Sequence, residues 1–216
     1  MHVLLTAGPT YEPLDPVRFI GNRSTGKMGY ALAEAFAAAG ATVTLVSGPT
    51  ALAAPVSARI RVVRVETAQQ MYEAAAVAPT ATIWVFAAAV ADYRPAEVAP
   101  EKIKKQGDAL TLRLVKNVDI AATLGQTKQP EQFSVGFALE TTNELAHARE
   151  KLQRKNFDLV VLNSLRDAGA GFGHDTNKVS VLDAAGQVLT FDLQAKTELA
   201  HRLVQLILTR YSARYA

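Results

Sequence analysis

The run Ala81-Thr82-Ile83-Trp84-Val85-Phe86-Ala87 constrains the fold most. It carries no charge and no alternation of apolar and polar positions, so it cannot offer one face to water. It reads as a strand in the middle of a sheet covered on both sides. Such sheets are parallel, and parallel neighbours need a crossover, usually a helix. The rest of the chain supplies the pieces. His2–Ala7 is a second apolar run. Residues 26–39 (GKMGYALAEAFAAA) set Met28, Leu32, Ala35 and Phe36 on one helical face. Gly40 stands where a glycine ends a helix, and residues 42–46 form the next strand. Residues 61–65 are a further strand. Thr67 and Gln70 have capping-box spacing before a helix reaching about Val77. Residues 132–137 and 159–162 are strands around a charged helix over 144–155, and a last helix spans about 193–211. The pattern predicts an α/β chain, doubly wound around a mostly parallel, Rossmann-like sheet, with residues 1–216 as a single domain.

Two segments break this rhythm. Residues 99–116 (APEKIKKQGDALTLRLVK) have no apolar helix face, and a basic run precedes Gly107-Asp108. Residues 166–192 alternate in NKVSVLDAAGQVLTFDL, which predicts a hairpin turning at Ala184-Ala185-Gly186. Its apolar residues Val179, Val181, Val188 and Phe191 lie outside the parallel rhythm. An exposed strand pair of that kind needs a partner.

Composition removes several function classes. The chain has 216 residues, 49% of them hydrophobic, enough for one sizeable core. No stretch of 18 apolar residues occurs, so no membrane span is expected. The N-terminus opens on a strand-like run without a basic leader, and a cytoplasmic location is expected. There is no cysteine, so disulfides and thiol chemistry are excluded. His2, His147, His174 and His201 lack metal-ligand spacing, which argues against zinc. A net charge of +3 suits a small anionic ligand. The lysines and arginines are dispersed and leave no nucleic-acid footprint.

Ligands of open α/β sheets bind beyond the carboxyl ends of the strands. There the chain places Gly8-Pro9-Thr10 and the long loop to Gly26; residues 88–94 (AAVADYR); Gly136 to Thr141; and Asn163. NRSTGKMG puts Asn22, Ser24, Thr25 and Gly26 at a helix N-terminus, where free amides and the helix dipole attract an anion. Lys27 adds charge. The competing reading is a helix capped by Ser24 or Thr25. The loop has neither the G-x-G-x-x-G fingerprint nor a P-loop. Lys102, Lys104 and Lys105 in EKIKK are either a solvated loop or a flap over phosphate. Lys151 and Lys155 share a helix face, and Asp92 follows the central strand.

GPTYEPLDPVRFIGNRSTGKMG, AAAVADYRP, EKIKK, LVKNVDI, VGFALET and KLQRKNFDLVVLN, in this order, resemble the phosphopantothenate–cysteine ligase domain of bacterial coenzyme A biosynthesis. The resemblance runs from about residue 3 to 211. It implies a ligase that joins 4′-phosphopantothenate to cysteine through an acyl-cytidylate, using CTP with Mg2+ and releasing CMP and pyrophosphate. It further implies a homodimer with shared sites, against the alternative of a monomer whose Arg18 pairs with Glu12 or Asp15, and it leaves room for a decarboxylase domain or partner. By this resemblance Asn22 and Lys102 are catalytic. Arg18, Asn22, Ala88, Ala89 and Asp92 border phosphopantothenate, with Arg18 reaching across the dimer. Gly8, Ser24, Gly26, Asp92 and Lys102 belong to the nucleotide site. So do Val118, Asp119, Ile120 and Ala121, which read the base, together with Phe137, Lys151 and Lys155. Here KNVD stands where KNPD is commoner, and backbone reading of the base is expected to survive. Metal ligands are left unassigned. The competing readings are an NAD(P)-dependent reductase and a non-catalytic nucleotide-binding protein.

Overall fold

The computed structural model describes residues 1–78, 80–105, 107–140, 142–164, 171 and 173–215. Thr141 at one strand end, and residues 166–170 and 172 at the start of the expected hairpin segment, lie outside the described residues. In chain order the elements are β1 (His2–Ala7), β2 (Tyr11–Pro13), β3 (Phe19–Gly21), α1 (Lys27–Ala38), β4 (Thr42–Ser47) and β5 (Ile60–Arg64). Then come α2 (Ala68–Ala76), β6 (Ile83–Phe86), β7 (Tyr93–Pro95), β8 (Leu114–Lys116), α3 (Ile120–Gln126) and β9 (Phe133–Glu140). α4 (Glu144–Arg154), β10 (Leu159–Ser164), β11 (Thr176–Asp183), β12 (Val188–Ala195) and α5 (Lys196–Tyr215) complete the chain.

Eight strands form one sheet in the order β12-β11-β10-β9-β6-β1-β4-β5. The pairs from β5 to β10 are all parallel, while β11 and β12 add to β10 antiparallel. The six parallel strands, counted among themselves, stand in the 3-2-1-4-5-6 order of the doubly wound fold. β6 sits inside the sheet with all four residues buried, as its uninterrupted apolar run requires. One face packs Tyr30, Leu32 and Phe36 of α1 with Leu199, Leu203 and Ile207 of α5. The other packs Met71 of α2, Leu124 of α3 and Leu152 of α4.

Local signals acted as expected. The Thr67 hydroxyl accepts from the Gln70 amide at 3.2 Å, and the Gln70 side chain accepts from the Thr67 amide at 3.3 Å. At the end of α1 the amides of Gly40 and Ala41 donate to Ala37 and Phe36, both at 3.0 Å, with Gly40 at φ +89. This is the glycine-dependent termination of a helix.

Three features differ from the sequence reading. The added hairpin is part of the main sheet, and its apolar face already has a partner. Val179, Val181 and Phe191 are buried in the α1–α5 core, while Val188 is 44% exposed. Its turn falls where expected: the Asp183 carboxylate accepts from the amides of Ala185 and Gln187. The last helix starts at Lys196, because β12 holds the chain extended to Ala195. The long first loop folds its own hairpin, β2–β3, and β7–β8 is a second one. Three-residue strands and a seven-residue helix such as α3 are too short to show a period. Among the described residues no helix is long and apolar enough to cross a membrane.

Candidate active site

β1 connects onward to β4 on one side and β6 to β9 on the other, so the chain parts between their ends. Such a switch point opens a crevice, and here it is a cleft of about 380 Å3. The loops after β1 and β6 are tied together across it. Pro9 bridges to Ala89, and the Thr10 hydroxyl accepts from the Ala91 amide at 2.9 Å. Asn22 spends its side-chain amide on the carbonyls of Ala89 (2.9 Å) and Val90 (3.2 Å). Its carboxamide oxygen is then the group left for a ligand. Asn22, Ala88, Ala89 and Asp92 all line the cleft.

The head of α1 forms one wall. Gly26 adopts the left-handed conformation (φ 79), and a Cβ there would lie 3.4 Å from the Gly8 Cα. The turn favours glycine, while the approach itself would leave a Cβ in ordinary contact. Gly8 thus supports Gly26 from below rather than lining the cleft. No side chain caps α1: Ser24 reaches only the Gly26 amide, at 3.4 Å. The capping alternative is not realised, and the first-turn amides are available to an anion.

The opposite wall is built by α3, α4 and β9. Asp119 caps α3 by accepting from the Ala122 amide at 3.1 Å, and it also accepts from the Lys155 ammonium at 2.8 Å. Burial is the largest influence on the Asp119 carboxyl and pushes its pKa up. The Lys155 bond and charge, the Ala122 amide and Arg154 outweigh it, and the net shift is below the ordinary value. Lys151 pairs with Glu140 at 3.4 Å. Val118, Ile120, Ala121 and Phe137 complete this wall. Asp92 is exposed at the rim. Asp92 and Asp119 are the carboxylates among the described lining residues. No group of three or more metal-ligating side chains occurs among the described residues.

Arg18 and Lys102 are not brought to the cleft. The Arg18 guanidinium grips Asp15 through two nitrogens at 3.1 and 2.5 Å. It holds that carboxyl well below the usual carboxylate range, with the amides of Val17, Ile103 and Arg18 helping. The same pair takes both backbone groups of Ile103: Asp15 accepts its amide at 3.1 Å, and Arg18 donates to its carbonyl at 3.0 Å. The lysine segment is therefore tied to the first loop next to Lys102, whose side chain is exposed.

Sequence reasoning missed Asn117, Asn177 and Lys196. Asn117 organises the loop after β6. Its side-chain amide donates to Ala91 at 2.8 Å, and its backbone amide donates to Asp92 at 2.8 Å. Asn177 and Lys196 line the cleft at 1% and 7% exposure. Nothing in NKV or QAKTE distinguishes a buried amide or ammonium from a solvated one.

Residues 1–211 match the family described as the DNA/pantothenate metabolism flavoprotein C-terminal domain. The chain is 49% identical over 208 residues, 96% of its length, to a cysteine/cysteine sulfinic acid decarboxylase from an unknown prokaryotic organism, and spans 58% of that protein. It is 46% identical over 215 residues, 98% of its length, to the coenzyme A biosynthesis bifunctional protein CoaBC of Escherichia coli (strain K12), and spans 52% of it. It thus spans little more than half the length of the curated relatives it matches. A crystal structure of the C-terminal domain of a coenzyme A biosynthesis bifunctional protein CoaBC superposes with a TM-score of 0.81 at 40% identity, covering 98% of this chain and 96% of that one. With its eight-stranded sheet, its cleft at the β1–β6 switch point and these matches, the chain belongs to the family of DNA/pantothenate metabolism flavoprotein C-terminal domains.

Proposed function

We propose that the chain is a phosphopantothenate–cysteine ligase acting in coenzyme A biosynthesis in the cytoplasm. A carboxylate oxygen of 4′-phosphopantothenate attacks the α-phosphorus of CTP. The bond from that phosphorus to its bridging oxygen breaks, and pyrophosphate leaves with the electron pair. The cysteine nitrogen then attacks the acyl carbon and loses a proton, and the carbon–oxygen bond to CMP breaks. One observation carries this reading. A single cleft gathers most of the residues assigned to both substrates, with open helix amides on one wall and two lysines on the other.

The residues have distinct tasks. The α1 amides, with Ser24 and Gly26, receive phosphate oxygens and stabilise charge as it develops. Val118, Asp119, Ile120 and Ala121 read the base through the backbone at the head of α3. Phe137, Lys151 and Lys155 flank the nucleotide. Asn22 orients the acyl group, and its oxygen accepts a hydrogen bond from the attacking amine in the second step. Lys102 contacts the triphosphate. Mg2+, when bound, would offset triphosphate charge, and it would need a carboxylate of the cleft beside the phosphates to hold it. Asp92 at the rim fits that need.

A homodimer is part of the proposal, with Arg18 reaching the neighbouring site. Val17, Phe19, Tyr93 and Leu114 support it, being apolar and exposed on the two small hairpins. The β11–β12 hairpin offers exposed Val188, Leu189 and Leu193 for the same purpose. We read the remaining length of the relatives as room for a decarboxylase unit. The test is purified protein with phosphopantothenate, Mg2+ and each of four nucleoside triphosphates, with and without cysteine. Pyrophosphate release and product mass are followed. CTP-dependent release and an acyl-cytidylate mass without cysteine are expected. No release with any triphosphate refutes the reading.

A further inference from the structure

The cleft has a third corner that the roles above leave unused. It lies on the α1–α5 side, where the first residues of both helices, Lys27 and Lys196, line the same space. Lys196 is 7% exposed, and its ammonium donates to the carbonyls of Gly171 (3.0 Å) and His174 (2.6 Å). A third ammonium proton remains. Asn177 is 1% exposed. Its oxygen accepts from the amides of Gly171 (3.4 Å) and Lys178 (3.1 Å), but its side-chain nitrogen has no partner among the described residues. Leaving a buried donor without an acceptor is costly, so such a group is expected to meet a ligand. Lys27 pairs with Asp175 at 2.7 Å, yet that carboxylate is 87% exposed. Exposed pairs hold weakly, and Lys27 can exchange Asp175 for a stronger anion. Burial followed by the nearby Lys27 charge lowers the pKa of Lys196, as expected where two ammonium groups await an anion.

We propose that Asn177 and Lys196, with Lys27 and the open amides of α1, form a phosphate-binding corner that takes the β- and γ-phosphates of the nucleotide and holds pyrophosphate as it departs. This rests on the ligase reading above. Asn177, Lys196, Lys27 and the α1 amides present donors, which suits phosphate oxygens, while the buried Asn163 carboxamide oxygen, an acceptor without a partner among the described residues, lines the same cleft. Two helix N-termini meet there, and both favour negative charge. The corner lies across the cleft from α3, where the base is placed, so a nucleotide spanning the cleft brings its tail to Lys196. The 4′-phosphate of phosphopantothenate has the same chemistry, and the test separates the two.

Asn177→Asp keeps the accepting oxygen and its two amide bonds but replaces the free donor with a charged acceptor. In the full chain it should raise the Kd of inorganic pyrophosphate and the KM for the triphosphate by about tenfold or more. The KM values for phosphopantothenate and cysteine should stay within about twofold of the native values. Lys196→Met should act in the same direction. Unchanged pyrophosphate affinity in a folded Asn177→Asp protein overturns the proposal. An increase confined to phosphopantothenate also overturns it, since the 4′-phosphate would then be the occupant. Equal losses for all three substrates with a fall in Tm make the role structural and overturn it as well. Should either variant fail to fold, pyrophosphate titrated into the native protein must shift the side-chain NH2 resonances of Asn177; their constancy refutes the corner. The two readings fail differently. Native protein that binds pyrophosphate at this corner but never releases it from a triphosphate sinks only the ligase reading. Native release with unaffected variants sinks only the corner.

Discussion

Gly136→Ala is a stringent test of how the cleft is built. Gly136 lies in β9 between Phe86 of β6 and Val160 of β10, with the Phe157 ring directly over it. An added Cβ would stand 2.0 Å from Phe157 Cε2 and 2.5 Å from its Cδ2 and Cζ. Ordinary contact begins at 3.4 Å, so the ring must retreat by about 1.4 Å. It is 5% exposed, packs on Phe86 at 5.8 Å between centroids and lines the cleft, so the retreat narrows the ligand space. Overpacking of this kind costs about 1–3 kcal/mol, a fall of roughly 2–12 °C in Tm for a chain of this size. The variant should also show a raised KM for the nucleotide. Phe157→Leu should relieve the clash, so that the double variant is destabilised by at least about 1 kcal/mol less than the sum of the singles. Thermal unfolding of the four proteins measures this. A native Tm in Gly136→Ala, or strict additivity, refutes the packing argument.

Asn22→Asp should fold but accumulate the acyl-nucleotide, because the new oxygen opposes the carbonyls of Ala89 and Val90 and loosens the loop that Asn22 now ties. The loss in turnover should be about a hundredfold or more, read by product mass without and with cysteine; unchanged turnover removes Asn22 from the mechanism. Mixing Arg18→Ala chains with Asn22→Asp chains should restore one working site per heterodimer if sites are shared, and persistent inactivity after verified subunit exchange rules that out. Asp15 should contribute to stability in a pH-dependent way. Its folded pKa lies below the unfolded value of about 3.9, so its contribution is present above that pH and is lost as pH falls through the folded pKa. Asp15→Asn should therefore unfold more easily at pH 7, and the two denaturation curves should converge in acid; a constant gap from pH 7 to pH 2 contradicts this.

The core was legible because its physics is local. The apolar run around Trp84 demanded a buried strand, and the Thr67–Gln70 spacing fixed a helix start. The position of Asp92 followed from the strand before it. Pairings across the fold left no such trace. Asp119 and Lys155 are far apart in the chain, and only the packing of α3 beside α4 joins them. The hairpin residues Val179, Val181 and Phe191 revealed a need for cover but not that α5 supplies it. Lys196 reads as any lysine at a helix start until the fold buries it. Most of the candidate site entered through ordered motifs rather than through periodicity, and the open head of α1 could be judged only once Ser24 was seen not to cap it.

The grip of Asp15 and Arg18 on Ile103 makes the lysines of EKIKK inequivalent in entropy. Lys102 lies between two anchored backbone groups, the Ala99 amide on Leu14 and both polar groups of Ile103. Lys104 and Lys105 lie past the second anchor, on the stretch that returns to Arg113. Immobilising a side chain on a short, pinned arc sacrifices less chain freedom than doing so on a longer one. A bound polyanion therefore gains more from Lys102 than from its neighbours at equal charge. Substitutions and added residues between Lys104 and Arg113 should be tolerated, whereas a single insertion between Ala99 and Ile103 would put the wrong residue between the two anchors.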